Sequence, residues 1–178
     1  MVSLKQKRQS GFTIVELLIV IIIIGILAGL VITQVLGANQ QARDTDRKND
    51  INSVATQLEA YFAKTGGYPT NANLNDGTWR TNNSFNAGDG AKAFSDPMSN
   101  TVTSLDATLP STATGHYTYI PGPASCVSPT DDQGAATTTG TFCNSYELTA
   151  LLENKNDTQK DSTSTGTQTF YIKRNANQ

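Results

Sequence analysis

The chain of 178 residues is long enough for one modest domain plus a membrane-length helix. Its formal charge is −2, and its mean hydropathy is −0.34 despite one strongly apolar run, so the rest is distinctly polar. This is not the balance of a nucleic-acid-binding protein. One histidine and scattered carboxylates supply no convergent catalytic set, so neither an enzyme nor a cofactor is expected.

Residues 12–32 form an apolar run in which only Thr13 and Glu16 are polar. A hydrocarbon core about 30 Å thick needs roughly 20 helical residues, so the run can span it. A secretory signal peptide has a shorter apolar core of about 7–15 residues and a small-x-small cleavage site. Here Ala28 and the glycines lie inside a continuing helical pattern. Lys5, Lys7 and Arg8 precede the run, and this flank predicts that residues 1–11 stay cytoplasmic and the remainder faces outward. A carboxylate centred in such a segment costs about 2.5–3.5 kcal/mol. Glu16 therefore calls for a partner, and a snorkelling carboxylate without one is the plain alternative.

No proline interrupts residues 12–64, and Ile51, Val54, Ala55, Leu58, Tyr61 and Phe62 recur at helical spacing. The pattern predicts one continuous helix of about 53 residues, roughly 80 Å long. Residues 12–36 are its transmembrane half, and residues 37–65 its amphipathic half. Gly66-Gly67 ends it and Pro69 prevents a restart. Gly25 and Gly29 form a G-x-x-x-G packing pattern, and with Gly37 they lower local helix stability. Arg43, Arg47 and Lys48 interleave with Asp44, Asp46 and Asp50, which reads as a solvated face with intrahelical pairs.

Residues 66–115 form the connection from helix to sheet. Poor periodicity over 70–115 predicts a surface-covering loop anchored by Trp79, Phe85 and Phe94, with a short helix near 91–94. Strands are predicted at 116–120, stopping at Pro121-Gly122, at 145–153 with Tyr146, Leu148 and Ala150 on one face, and at 169–173. The fold expected is α+β: a long N-terminal helix packed on a small antiparallel meander of three or four strands within 116–178. An exported domain meets an oxidising environment, where Cys126 and Cys143 can pair. The bridge would contribute about 3 kcal/mol if unstrained. His116 lacks ligand spacing around it, so no metal is expected. Asp131-Asp132-x-Gly134 lacks the EF-hand spacing and reads as a solvated acidic loop. Asn82-Asn83-Ser84 and Asn156-Asp157-Thr158 match glycosylation sequons, which indicates exposure.

The short basic leader, Gly11, then Phe12-Thr13-Ile14-Val15-Glu16 and the aliphatic run resemble the N-terminus of type IV prepilins and pseudopilins. Residues 61–69, Tyr-Phe-Ala-Lys-Thr-Gly-Gly-Tyr-Pro, are similar to the helix exit of the same family. The likeness is close over residues 1–36. It implies removal of the leader 1–11 by a prepilin peptidase between Gly11 and Phe12, and N-methylation of Phe12. It also implies assembly by pairing of Glu16 with the Phe12 amine of a neighbouring copy. The partners implied are copies of the chain in a helical filament, the prepilin peptidase/methyltransferase, an assembly platform and minor pilins. The location implied is the bacterial inner membrane before assembly and an extracellular pilus afterwards. Three readings stand: a pilus subunit serving adhesion, motility or DNA uptake, a pseudopilin of a type II-like secretion or competence machine, and a non-polymerising membrane-anchored adhesin. Two features depart from the family pattern. Thr33 stands where many members carry proline, and Cys126 and Cys143 flank the loop between the first two strands instead of a C-terminal segment. Without the leader's Lys5, Lys7 and Arg8 the chain holds 10 basic and 15 acidic residues, a charge near −5.

Overall fold

The computed structural model describes residues 11–85, 93–98, 105–109, 117–130, 136–137, 139–164 and 168–175. The leader lysines and arginine, Ala91, His116, Asp131, Asp132, Gly134 and the side chains of Val31 and residues 33–36 lie outside the described set.

Helix α1 (Ile14–Thr65) runs unbroken for 52 residues, through Gly25, Gly29 and Gly37. It starts two residues later than the apolar run does, because the Thr13 hydroxyl accepts from the Glu16 N–H and caps the first turn. Phe12 therefore precedes the helix instead of opening it. At the other end Gly66 takes φ +80°, a left-handed conformation that glycine adopts without strain. Its N–H donates to the Phe62 carbonyl at 2.8 Å, and the helix stops there.

The chain divides into two compact units, Met1–Asn39 and Gln40–Gln178. In the first, every described large aliphatic side chain of α1 is half exposed or more, from Ile14 at 85 % to Leu18 and Ile19 at 50 %. Among the described residues no helix is long and apolar enough to cross a membrane. The expected span 12–36 takes in positions outside the described set.

The second unit builds a layer of sheet against its own part of α1. Strands β1 (Thr118–Gly122), β2 (Ser145–Leu152) and β3 (Thr169–Arg174) form an antiparallel meander in the order β1-β2-β3. Tyr119 faces Leu148, and Leu148 faces Lys173. β1 continues through Pro121 and Gly122, which pair with Tyr146 and Ser145, so the expected stop at these residues is corrected. Proline is tolerated there because β1 is a sheet edge, where a missing N–H breaks no inner ladder. The predicted stripe Ile51, Val54, Ala55, Leu58 and Tyr61 is buried, together with Tyr146, Leu148 and Ala150 of β2. Phe62 packs on the margin of that core. Tyrosine hydroxyls then tie the sheet side to the helix: Tyr117 donates to Asp50 at 2.6 Å, Tyr146 to Glu59 at 3.1 Å and Tyr171 to Asn52 at 3.2 Å.

The stretch read as a long loop contains two short helices, α2 (Asn71–Asn75) and α3 (Gly77–Asn82). Each has a side-chain cap that periodicity does not register. Thr70 and Asn73 form a reciprocal capping box, and the Asp76 carboxylate accepts from the Trp79 N–H at 2.8 Å. The caps drop Leu74 and Trp79 into the core, and Trp79 packs edge-on to Tyr61 with ring centres 5.4 Å apart. Ala93 and Phe94, at the expected short helix, form a single 3₁₀ turn. Cys126 and Cys143 are joined in a disulfide. It fastens the turn after β1 to Cys143, whose carbonyl accepts from the Tyr68 N–H at 2.7 Å just past the helix exit.

Candidate assembly site

Gly11 and Phe12 lie on exposed, non-helical backbone ahead of α1, and the Phe12 side chain is 91 % exposed. Glu16 sits at the third position of the helix, and its Oε2 accepts from the Thr13 N–H at 2.8 Å and the Thr13 hydroxyl at 2.9 Å. With the hydroxyl accepting from the Glu16 N–H at 3.2 Å, this is a capping box. The arrangement answers two demands of an apolar helix start. It satisfies N–H groups that have no partner inside the helix, and it gives the carboxylate donors from its own chain. Among the described residues no donor reaches Oε1, so that oxygen faces outward with acceptor capacity to spare. The sequence reading singled out Gly11, Phe12 and Glu16 and missed Thr13 as Glu16's partner. The signal was present as Thr-x-x-Glu ahead of an apolar run.

The second unit opens on a different kind of charge cluster. Arg47 is 1 % exposed, with Nε on Asp96 Oδ2 at 2.7 Å and Nη1 on Asp44 Oδ1 at 2.8 Å and on Glu153 Oε1 at 2.7 Å. Arg43 makes a two-pronged contact with Glu153 at 2.8 and 2.5 Å. Asp44 also accepts from the backbone N–H groups of Glu153 and Asn154, just past the end of β2. The expected solvated face is thus corrected. Among the described residues the Arg47–Asp44 contact alone is intrahelical, and the other partners arrive from more than 45 residues away. Burial alone would lower the Arg47 pKa, but its hydrogen bonds to Asp96, Glu153 and Asp44 outweigh that and raise it. The Arg43 contact, working against burial and helped by Arg47, holds Glu153 down at about 2. Asp50 goes the other way, to about 6. Burial is the main cause and repulsion from Asp46 and Asp96 adds to it, while the Tyr117 hydroxyl opposes.

Among the described residues no group of three His, Cys, Asp or Glu is placed to hold a metal ion. Asn156 of one sequon is exposed in a turn, and Asn82 of the other ends α3.

A capped carboxylate at the head of an apolar helix, with a helix-on-meander unit following, is the arrangement that a likeness to the type IV pilin-like family implies. Residues 6–32 match the prokaryotic N-terminal methylation motif. The chain is 40 % identical over 67 residues to the type II secretion system core protein G of Pseudomonas aeruginosa, covering 38 % of this chain and 47 % of that protein. It is 37 % identical over 67 residues to the protein of that name from Aeromonas hydrophila, covering 38 % and 47 %. With that of Vibrio cholerae it shares 35 % over 66 residues, covering 37 % and 45 %. The chain thus spans about half the length of the curated relatives it matches. No solved structure matches it significantly.

Proposed function

We propose that the chain is a structural subunit, not a catalyst, of a type IV pilin-like filament. The observation that carries this reading is Glu16 placed one turn beyond an exposed Gly11–Phe12 bond, at the head of an apolar helix whose described large aliphatic side chains in the first unit are half exposed or more. Cleavage after Gly11 by a prepilin peptidase turns the Phe12 nitrogen into an α-amino group, which is then methylated. The subunit waits in the bacterial inner membrane through the run 12–32, with Thr13 engaging Oε2 of Glu16. On docking, the Phe12 amine of a neighbouring copy meets the Glu16 carboxylate, so two charges leave lipid as a pair. Breaking such a buried pair costs about 3–5 kcal/mol, enough to set the register between subunits. Packing of the aliphatic faces supplies the remaining cohesion, through van der Waals contact where the helices leave lipid and through about 25 cal/mol for each Å² of apolar surface that would otherwise meet water.

The names of the relatives favour one narrower reading, a pseudopilin of a type II-like secretion machine. That form stays short and is not shed as surface fibre, whereas a pilus subunit serving adhesion, motility or DNA uptake is. Mass spectrometry of a sheared surface fraction separates the two. An abundant methylated peptide beginning at Phe12 in that fraction identifies the pilus, and cleaved Phe12 confined to membranes identifies the pseudopilin. Glu16→Ala is expected to abolish filament assembly while leaving leader removal intact. Normal filament yield from that variant would sink the docking role, and an intact leader in the native protein would leave a membrane-anchored adhesin.

A further inference from the structure

A groove of about 360 Å³ runs between α1 and the end of β3. Asn52, Thr56 and Glu59 succeed one another at spacings of four and three, so they form its α1 wall. Lys173 and Arg174 form the β3 wall, and the buried Ala55 and Tyr146 give it an apolar base. The two walls carry opposite charges that do not meet. The Glu59 carboxylate accepts from the Tyr68 hydroxyl at 3.0 Å and from the Tyr146 hydroxyl at 3.1 Å, one on each oxygen. Both tyrosines are buried, so the carboxylate is fixed from behind while Glu59 itself stays exposed. Each oxygen keeps acceptor capacity beyond its tyrosine. On the other wall Arg174 is engaged by Glu147 and Asp161. Lys173 is exposed, and among the described residues its ammonium has no partner. The Thr56 hydroxyl is spent on the Asn52 carbonyl at 2.8 Å. Asn52 accepts from the Tyr171 hydroxyl through Oδ1 at 3.2 Å, which leaves its amide N–H groups as donors.

We infer that this groove is a binding site for a free α-amino acid in its zwitterionic form. The ligand's ammonium donates to the Glu59 carboxylate. Its carboxylate meets the Lys173 ammonium and accepts an N–H from Asn52. Its side chain rests on Ala55 and the Tyr146 ring. Charge complementarity selects this class of occupant. A simple anion would pair with Lys173 and be repelled by Glu59, and a simple cation would suffer the reverse. The volume narrows the class further, because about 360 Å³ stands at the small end of the range of about 300–1,000 Å³ typical of ligand pockets. One amino acid fills such a space with both of its charges in reach of the walls. The Glu59 carboxylate needs little reordering on binding, since the two tyrosines already hold it. All of these residues lie in the second unit, so the site does not rest on the filament reading.

The test titrates the full chain in detergent micelles with L-leucine, read by calorimetry and by NMR shifts of the Thr56 and Lys173 amides. Two truncated probes, isoamylamine and isocaproate, keep leucine's hydrocarbon and one charge each. Leucine is expected to bind saturably and to move both amides, and each truncated probe to bind about tenfold more weakly or worse. Lys173→Met and Glu59→Gln are each expected to weaken leucine about tenfold or more. Glu59→Gln disturbs the tyrosine contacts as well, whereas Lys173 is exposed and bonded to nothing, so Lys173→Met should melt with the parent and still lose binding. No saturation up to about 10 mM leucine, equal binding of either truncated probe, or undiminished binding by Lys173→Met would each overturn the site. Glu16→Ala is expected to bind leucine as the parent does, which separates this site from the proposed docking pair.

Discussion

The two parts of α1 solve the same problem, a charge beside apolar surface, in opposite ways. Near the start, Glu16 draws on Thr13 three residues away and leaves an outward oxygen, while the surrounding aliphatic side chains stay half exposed or more. In the second unit, Arg47 is enclosed by Asp44, Asp96 and Glu153, brought together from three separate stretches of chain, and the apolar stripe beside it is fully covered. The contrast shows which part is finished as a monomer. Unit Gln40–Gln178 pairs its buried charges Asp44, Arg47 and Asp96 within itself, whereas the helix ahead of it presents exposed aliphatic surface and a carboxylate with acceptor capacity to spare.

The largest expected effect strikes the finished part. Arg47→Ala takes the guanidinium away from the buried Asp44 and Asp96 carboxylates, leaving them backbone donors and no cation, and is expected to destabilise the second unit by about 3–5 kcal/mol in urea unfolding. Leader cleavage at Gly11 should be untouched. A loss below about 1 kcal/mol would show that the cluster is solvated in solution and would remove half of the comparison.

A subtler effect concerns pH. The folded Asp50 pKa of about 6 lies above its ordinary 3.8, so between these values the folded state binds more protons than the unfolded one. Stability contributed by the protonated form is full below about 4 and is lost as pH rises to about 6. Glu153, held at about 2 against an ordinary 4.5, acts in the opposite sense: its contribution is full above about 4.5 and is lost as pH falls towards 2. Asp50→Asn is therefore expected to flatten the pH 4–6 limb of a melting-temperature profile and leave the acid limb in place. A profile identical to the parent's would mean that Asp50 is not held in the folded state as described.

The smallest expected effect falls on the unfinished part. Thr13→Val removes the hydroxyl of the capping box and is expected to cost about 1 kcal/mol of local helix stability. Amide exchange over residues 14–17 in micelles would report it, with the melting temperature of the second unit unchanged. Unchanged exchange at those amides would show that the box does not hold the helix start.

Much of this was legible in the sequence where a pattern repeats or a motif is contiguous. The helix of 52 residues, its Gly66 exit, the stripe from Ile51 to Tyr61 and the cores of all three strands follow from periodicity and punctuation. Residues 6–32 match the N-terminal methylation motif by local spacing alone. What escaped depends on single side chains or on distance along the chain. Helices α2 and α3 have five and six residues, too few for a periodic signal, and rest on caps by Thr70 and Asp76. β1 passes through a Pro-Gly pair because its place at the sheet edge, which no local pattern encodes, makes the missing donor harmless. The Arg47 cluster reads as an ordinary interleaved helix face, since its decisive partners Asp96 and Glu153 are 49 and 106 residues away.

The cluster's position also gives the molecule a mechanical grain. Tension travelling along α1 from its N-terminal side enters the second unit at residues 43–48, where Arg43, Arg47 and Lys48 meet Glu153, Asp96 and Asp157. Several charged contacts there share a pull applied along the helix, so they must shear together and cannot unzip one after another. A tug at the helix is spread at once to the end of β2 and to the turn that follows it, and the head resists as one piece.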